Sequence, residues 1–64
     1  MLINTKRIEY MIAEQGITKK ALAQKSGIAA QTLSTVLHRG TCEPKTAGKI
    51  AAGLSVTVAD ITER

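Results

Sequence analysis

The stretch TKKALAQKSGIAAQTLSTVL, Thr18 to Leu37, spells two short amphipathic helices joined by a turn too tight for anything but one specific crossing. Leu22 and Ala23 fall inside the first of these helices, Gly27 and Ile28 in the turn, and Leu33, Val36 and Leu37 on one face of the second. Ala23 is placed where the two axes come closest, and a larger side chain there would push the second helix away. Gly27 allows the positive φ that a helix ending in a sharp turn requires, without a Cβ penalty. Ile28 fills the wedge between the helices, while Leu33 and Val36, three apart, form the inner stripe of the second. The pattern predicts a helix-turn-helix whose outer face, Gln31, Thr32, Ser34 and Thr35, carries small polar groups of the kind that reach base edges. An αα-hairpin with a glycine turn has the same pattern with no nucleic acid near it. The placement of charge has to separate the two.

The chain has 64 residues, close to the lower limit at which a hydrophobic core holds a fold unaided, so residues 1–64 are expected to form one domain. A net charge of +4 and a pI of about 9.7 favour an anionic partner over a neutral one. The apolar runs are only a few residues long, which supports neither secretion nor membrane insertion and leads to a cytoplasmic expectation. Cys42 is the sole cysteine and reads as a reduced loop residue, since no internal disulfide can form. His38 reads as a surface or helix-end residue. A metal would find only His38, Cys42 and scattered carboxylates, so neither a metal nor a cofactor is expected. Tyr10 is the only aromatic residue, which counts against single-strand or RNA binding, where unpaired bases stack on exposed rings. Double-stranded DNA needs no such platform.

Capping signals divide the chain into about five short helices. The first should run from about Thr5 to Gln15, with Asn4 or Thr5 as N-cap, Gly16 at its end, and Ile8, Met11 and Ile12 as a buried stripe. Ile17 follows as a hydrophobic anchor. Thr18 caps the second, about Lys19 to Lys25. The third starts near Ala29 or Ala30 and runs to His38 or Arg39, stopped by Gly40. After a loop from Gly40 to Pro44, the fourth begins between Pro44 and Thr46 and ends near Leu54, burying Ile50, Ala51 and Leu54. Thr57 and Asp60 have capping-box spacing for a last short turn, with Val58 and Ile61 facing inward. No segment alternates as a strand does, so the fold class expected is a compact all-α bundle. Gly48 and Gly53 lie inside the fourth helix, where glycine costs about 1 kcal/mol relative to alanine. From this alone, Gly53→Ala and Ser55→Gly are expected to stabilise, with Gly48 left open because a close backbone approach to a neighbour could require glycine there.

Helix N-termini carry partial positive charge, so selection for stability alone places acidic residues in first turns. This chain does the reverse: Lys6 and Arg7 open the first helix, Lys19 and Lys20 the second, and Lys45 lies at the start of the fourth. Each costs from a few tenths to about 1 kcal/mol, and a phosphate supplies the compensation, because helix amides and a flanking lysine can converge on one anion. Exposed lysines screened by solvent are the plain alternative.

The run GITKKALAQKSGIAAQTLSTVLHRG, followed by EPKTAGKIAAGLSV, resembles the lambda-repressor-like or Cro-like (Xre-like) helix-turn-helix DNA-binding family, from about Ile8 to Ile61. The Leu-Ala…Gly…Leu core and the Pro…Ile-Ala…Leu tail both stand at the family's spacing. The resemblance implies five helices, the third lying in the major groove, and dimers that read pseudo-palindromic operators. It also implies a phosphate contact for Lys19 and base-facing positions for Ala30, Gln31, Thr32 and Thr35. Lys20, Arg39 and Lys45 complete the candidate phosphate contacts. Four features depart from the family pattern. Ala29 replaces the usual hydroxyl N-cap of the third helix, and one extra residue lies between Leu33 and Gly40. Ile12 and Leu37 stand where many members pair Arg with Glu, and Ser55 stands where a glycine is usual. Changing both halves of a buried ion pair to packed hydrophobes is often neutral or stabilising.

These readings lead to a sequence-specific DNA-binding regulator, a small repressor of the phage or mobile-element type acting as a homodimer on duplex DNA. A protein-interaction or antitoxin-like module that uses the exposed third helix is the alternative. No catalytic constellation, paired carboxylates or phosphate-binding glycine loop is legible, and no small-molecule substrate is expected; Glu9 and Glu14 read as helix surface.

Overall fold

A computed structural model describes residues 1–63 and is all-α: α1 (Thr5–Gln15), α2 (Lys19–Ser26), α3 (Ala30–Arg39), α4 (Pro44–Leu54) and α5 (Val58–Ile61). Local capping sets most of these boundaries. Asn4, not Thr5, caps α1, its Oδ1 accepting from the Arg7 amide at 3.0 Å. Thr18 Oγ1 accepts from the Ala21 amide at 3.0 Å, and α2 continues one residue beyond Lys25, to Ser26, where Gly27 in the left-handed conformation caps it. Thr57 and Asp60 form the expected capping box of α5, through bonds of 3.0 and 3.3 Å. That bond from the Thr57 backbone holds the Asp60 carboxyl below the ordinary carboxylate range, helped by the Thr57 side chain. The depressed value means that this contribution to stability is present at neutral pH and is lost as the pH falls through the carboxylate range and below it.

Three helices end in the same device. The amides of Ile17, Ile28 and Val56 donate back to Ile12, Ala23 and Ala51 at 3.2, 3.0 and 3.0 Å, and all three side chains pack against the core. Each follows a residue in the left-handed conformation: Gly16, Gly27 and Ser55. Ser55 is the only residue other than glycine with positive φ, at 60°, among the described residues. Ser55→Gly is therefore expected to stabilise, as the sequence suggested.

The core consists of Ile3, Ile8, Ile12, Leu22, Ala23, Leu33, Val36, Ala47, Ile50, Ala51, Leu54 and Ile61, with Leu37 and Val58 packed against it. Ile12 and Leu37 thus join one apolar cluster. The N-terminal segment is an addition that helical periodicity did not reveal. Residues 1–4 run between the α3–α4 loop and the end of α5, forming isolated antiparallel bridges from Leu2 to Thr41 and from Ile3 to Thr62. Among the described residues no helix is long and apolar enough to cross a membrane, and no group of three or more His, Cys, Asp or Glu is placed to hold a metal.

The expectation for Gly53 is overturned. α4 packs most extensively on α2, and Gly53 is the point of closest approach. A Cβ there would overlap the Ser26 hydroxyl and stand 3.1 Å from the Ser26 amide nitrogen and 3.2 Å from Leu22 Cδ1. Helix propensity would gain about 1 kcal/mol from alanine, but overpacking costs about 1–3, so Gly53→Ala lowers the denaturation midpoint. Gly48 has nothing within 4 Å of its notional Cβ, and Gly48→Ala raises the midpoint instead. Ser26 Oγ is buried with no hydrogen-bond partner. Ser26→Ala removes that hydroxyl and should soften the penalty of Gly53→Ala, a coupling that a double-mutant cycle measures. Additive effects of the two substitutions, or stabilisation by Gly53→Ala alone, would contradict this packing.

Candidate nucleic-acid interface

α3 is held from behind. Leu33 and Val36 are buried, the Ile28 side chain packs beneath the turn, and Gly27, at φ 74°, lets the chain reverse between α2 and α3. Gly40, at φ 75°, closes α3 with its amide on Val36 O at 2.8 Å. With Leu33 and Val36 buried three apart and Leu37 packed beside them, the remaining side of α3 points away from the core. Ala30, Gln31, Thr32, Ser34 and Thr35 are all exposed. The structure thus leaves the four base-reading candidates Ala30, Gln31, Thr32 and Thr35 exposed on α3, with Thr32 and Thr35 lining an open cleft.

Within that face the two threonines differ. Thr35 Oγ1 donates to Gln31 O at 2.9 Å, one turn back along the same helix. Its proton is committed to the backbone, so Thr35 presents a methyl group and acceptor lone pairs. Ala29 makes no side-chain cap, as expected from the missing hydroxyl. Ala29→Ser is therefore expected to secure the start of α3, by about 0.5–2 kcal/mol on the usual scale of such caps.

The cationic candidates surround this face in different settings. Lys19 and Lys20 are exposed in the first turn of α2 and Lys45 in that of α4, and none of the first turns of α1 to α4 contains an acidic residue. Glu43, the N-cap of α4, makes no side-chain cap and lines the same cleft as Arg39. Arg39 turns towards α4. It lines an open cleft of about 320 Å³ with Thr32, Thr35, Thr41, Glu43 and Thr46, so it lies beside two of the base-reading candidates and not at the α2 terminus. Cys42 lies on the wall of the same cleft, and burial pushes its thiol above the ordinary range. The protonated thiol is a weak nucleophile, in keeping with a reduced loop residue. His38, the neighbour of Arg39, turns to the opposite flank, where it lines a second cleft with Glu9, Lys19, Ser34 and Leu37. Helical spacing already points His38 and Arg39 in different directions, but which residues each would meet, Glu9 and Lys19 or Glu43 and Thr46, only the tertiary structure decides.

An exposed polar face on a helix that is buried behind, approached across a glycine turn and flanked by lysines at two other helix starts, is suited to entering a groove while the backbone is gripped on either side. Neither the curated proteins nor the solved structures contain a significant match to the chain. A family model does match, over residues 7–64, and on that match the chain belongs to the family of the Cro/C1-type HTH DNA-binding domain.

Proposed function

We propose that the protein is a sequence-specific transcriptional regulator, a repressor of the phage or mobile-element type, that binds duplex DNA as a homodimer on a pseudo-palindromic operator. The observation that carries this reading is the outward face of α3, exposed from Ala30 to Thr35 and polar from Gln31 to Thr35, apart from the buried Leu33 that anchors it. In this reading Ala30, Gln31, Thr32 and Thr35 meet base edges, while Lys19, Lys20, Arg39 and Lys45 meet phosphates. The protein acts in the cytoplasm, as one domain, without catalysis. Dimerisation follows from size, since a single module covers only about 600–1,000 Å² of interface with DNA, too little for tight specific binding alone.

Selection from a random duplex library tests this directly. The expected result is enrichment of two inverted half-sites with centres about one helical turn, roughly 10 bp, apart. Sedimentation of the saturated complex should give two protomers per duplex. Failure to enrich any duplex would leave α3 as a protein-binding surface, in an antitoxin-like or adaptor module.

The phosphate assignments make a separate prediction. Lys19→Ala and Lys45→Ala should weaken specific and random duplexes by similar factors, each reducing the log–log salt slope by about one unit for every protomer bound. A loss confined to one sequence would mean that the lysine reads a base.

A further inference from the structure

The α3–α4 loop runs between Arg39 and Lys45, two of the proposed phosphate contacts, and its own neighbours do little to hold it. α3 and α4 each pack on α2 and touch one another little, and Glu43 supplies no side-chain cap to the start of α4. The bonds that fix the loop come instead from residues 1–3. The Ile3 amide donates to Gly40 O at 2.8 Å, the Cys42 amide to Met1 O at 3.1 Å, and the Met1 amine to Cys42 O at 3.1 Å. Thr41 Oγ1 donates to the same Met1 oxygen at 2.9 Å. On its other side the segment is tied to the end of α5, through the Asn4 amide on Ile61 O and the Glu63 amide on Leu2 O. We propose that residues 1–3 are a positioning strap for the DNA interface, with Thr41 the positioning residue on the loop: the strap holds the loop in the shape that presents Arg39 and Lys45 to the DNA backbone together. This inference rests on the DNA-binding reading above.

Ile3 is buried, so the strap is fixed to the core, and whatever it holds is fixed to the core with it. Arg39 directly precedes Gly40, and Lys45 follows Cys42 by three residues. The shape of the loop therefore sets where the last turn of α3 and the first turn of α4 stand relative to one another. A loop ordered before binding loses no conformational freedom when the DNA arrives, and both cations meet the backbone in one register with the base-facing residues of α3. Without the strap the two helix ends move independently and one cation or the other misses its phosphate. Thr41 is the one loop side chain bonded to the strap among the described residues, and it is otherwise exposed. Met1 O takes one bond from it and one from the Cys42 amide, so loss of the hydroxyl loosens the loop while leaving that oxygen bonded.

The test is duplex affinity against salt concentration, with the selected operator and with a random duplex, for the unsubstituted protein, Thr41→Val, and a protein whose strap is fastened to the loop covalently. Leu2 and Thr41 face one another across an antiparallel bridge, flanked by the bonds from Ile3 to Gly40 and from Cys42 to Met1. They are therefore a pair not bonded to each other, the closer kind, with Cα atoms about 4.5 Å apart and within disulfide reach. Leu2→Cys with Thr41→Cys, in a Cys42→Ser background, closes that disulfide on oxidation. Thr41→Val should weaken both duplexes about three- to tenfold, the scale of one hydrogen bond, and lower the log–log salt slope towards that of Lys45→Ala. The oxidised pair also lacks the Thr41 hydroxyl, yet it should bind with the affinity and slope of Cys42→Ser alone. Reduction should then bring both down to the level of Thr41→Val. Thermal melts confirm that each protein is folded, as expected for the exposed positions 2 and 41. Unchanged binding by Thr41→Val overturns the strap and leaves the DNA-binding reading intact. An equal loss in Thr41→Val and in the oxidised pair also overturns it, by making the hydroxyl a DNA contact in its own right. Absence of duplex binding by the unsubstituted protein overturns both.

Discussion

Replacing Ile3 by alanine should lower the free energy of unfolding by about 2–5 kcal/mol, the range for truncating a buried Ile to Ala. Ile3 is 1% exposed, and its segment ties together parts of the chain that are distant in sequence. The Ile3 amide donates to Gly40 O and the Asn4 amide to Ile61 O, both at 2.8 Å, while Met1 O accepts from the Cys42 amide at 3.1 Å and from Thr41 Oγ1 at 2.9 Å. The Glu63 amide adds a bond to Leu2 O at 3.2 Å. The apolar side chain therefore anchors a short backbone bridge between the α3–α4 loop and the end of α5. In a chain of this size a single core rarely supplies more than about 3–5 kcal/mol, so the variant should be largely unfolded at moderate temperature. Leu2 is the internal control. It belongs to the same segment but is 61% exposed, and Leu2→Ala should change stability by no more than about 0.5 kcal/mol. Equilibrium denaturation of the two variants decides the matter. A loss under about 1 kcal/mol for Ile3→Ala would mean that the segment is not part of the folded unit.

The largest effect on recognition is expected at Gln31. Its side-chain amide has one acceptor and two donors and can pair bidentately with the N6 and N7 edge of adenine in the major groove. Around it, Ala30 and the outward methyl of Thr35 suit a thymine methyl, and the bond from Thr35 Oγ1 to Gln31 O leaves that methyl, with the oxygen lone pairs, as what Thr35 offers. The half-site should therefore contain A·T pairs. Gln31→Ala should cost about 1–3 kcal/mol on the selected operator and relax discrimination at one base pair per half-site. Random duplexes, gripped through phosphates, should change far less, and the midpoint of unfolding should hold because Gln31 is exposed. Competition against all four bases at each half-site position provides the measurement. A uniform loss at every position would reassign Gln31 to the backbone, and no loss at all would remove it from the interface.

The helix boundaries were legible because they are decided within four or five residues. Asn4, Thr18 and the pair Thr57–Asp60 cap amides three positions away, and Gly16, Gly27 and Gly40 take left-handed backbone that other residues adopt only at a cost. The spacing of Leu33 and Val36 likewise determined which side of α3 is free, since helical period alone assigns faces. Ser55 shows the same locality, its positive φ following from its place just after α4. Gly53 marks where that reasoning stops. Its role depends on Ser26, far away in sequence, and local propensity gave the wrong sign for Gly53→Ala because it cannot register a neighbouring helix. Gly48, in the same helix, has open space beside it and follows the propensity rule. Tertiary packing alone also brought Ile3 between Gly40 and Ile61, and decided that His38 meets Glu9 and Lys19 while Arg39 meets Glu43 and Thr46. Caps and periods act through bonds a turn apart, which a sequence displays directly. Close approaches and convergent charges depend on how whole helices cross, and that is settled only when every buried face has found its partner.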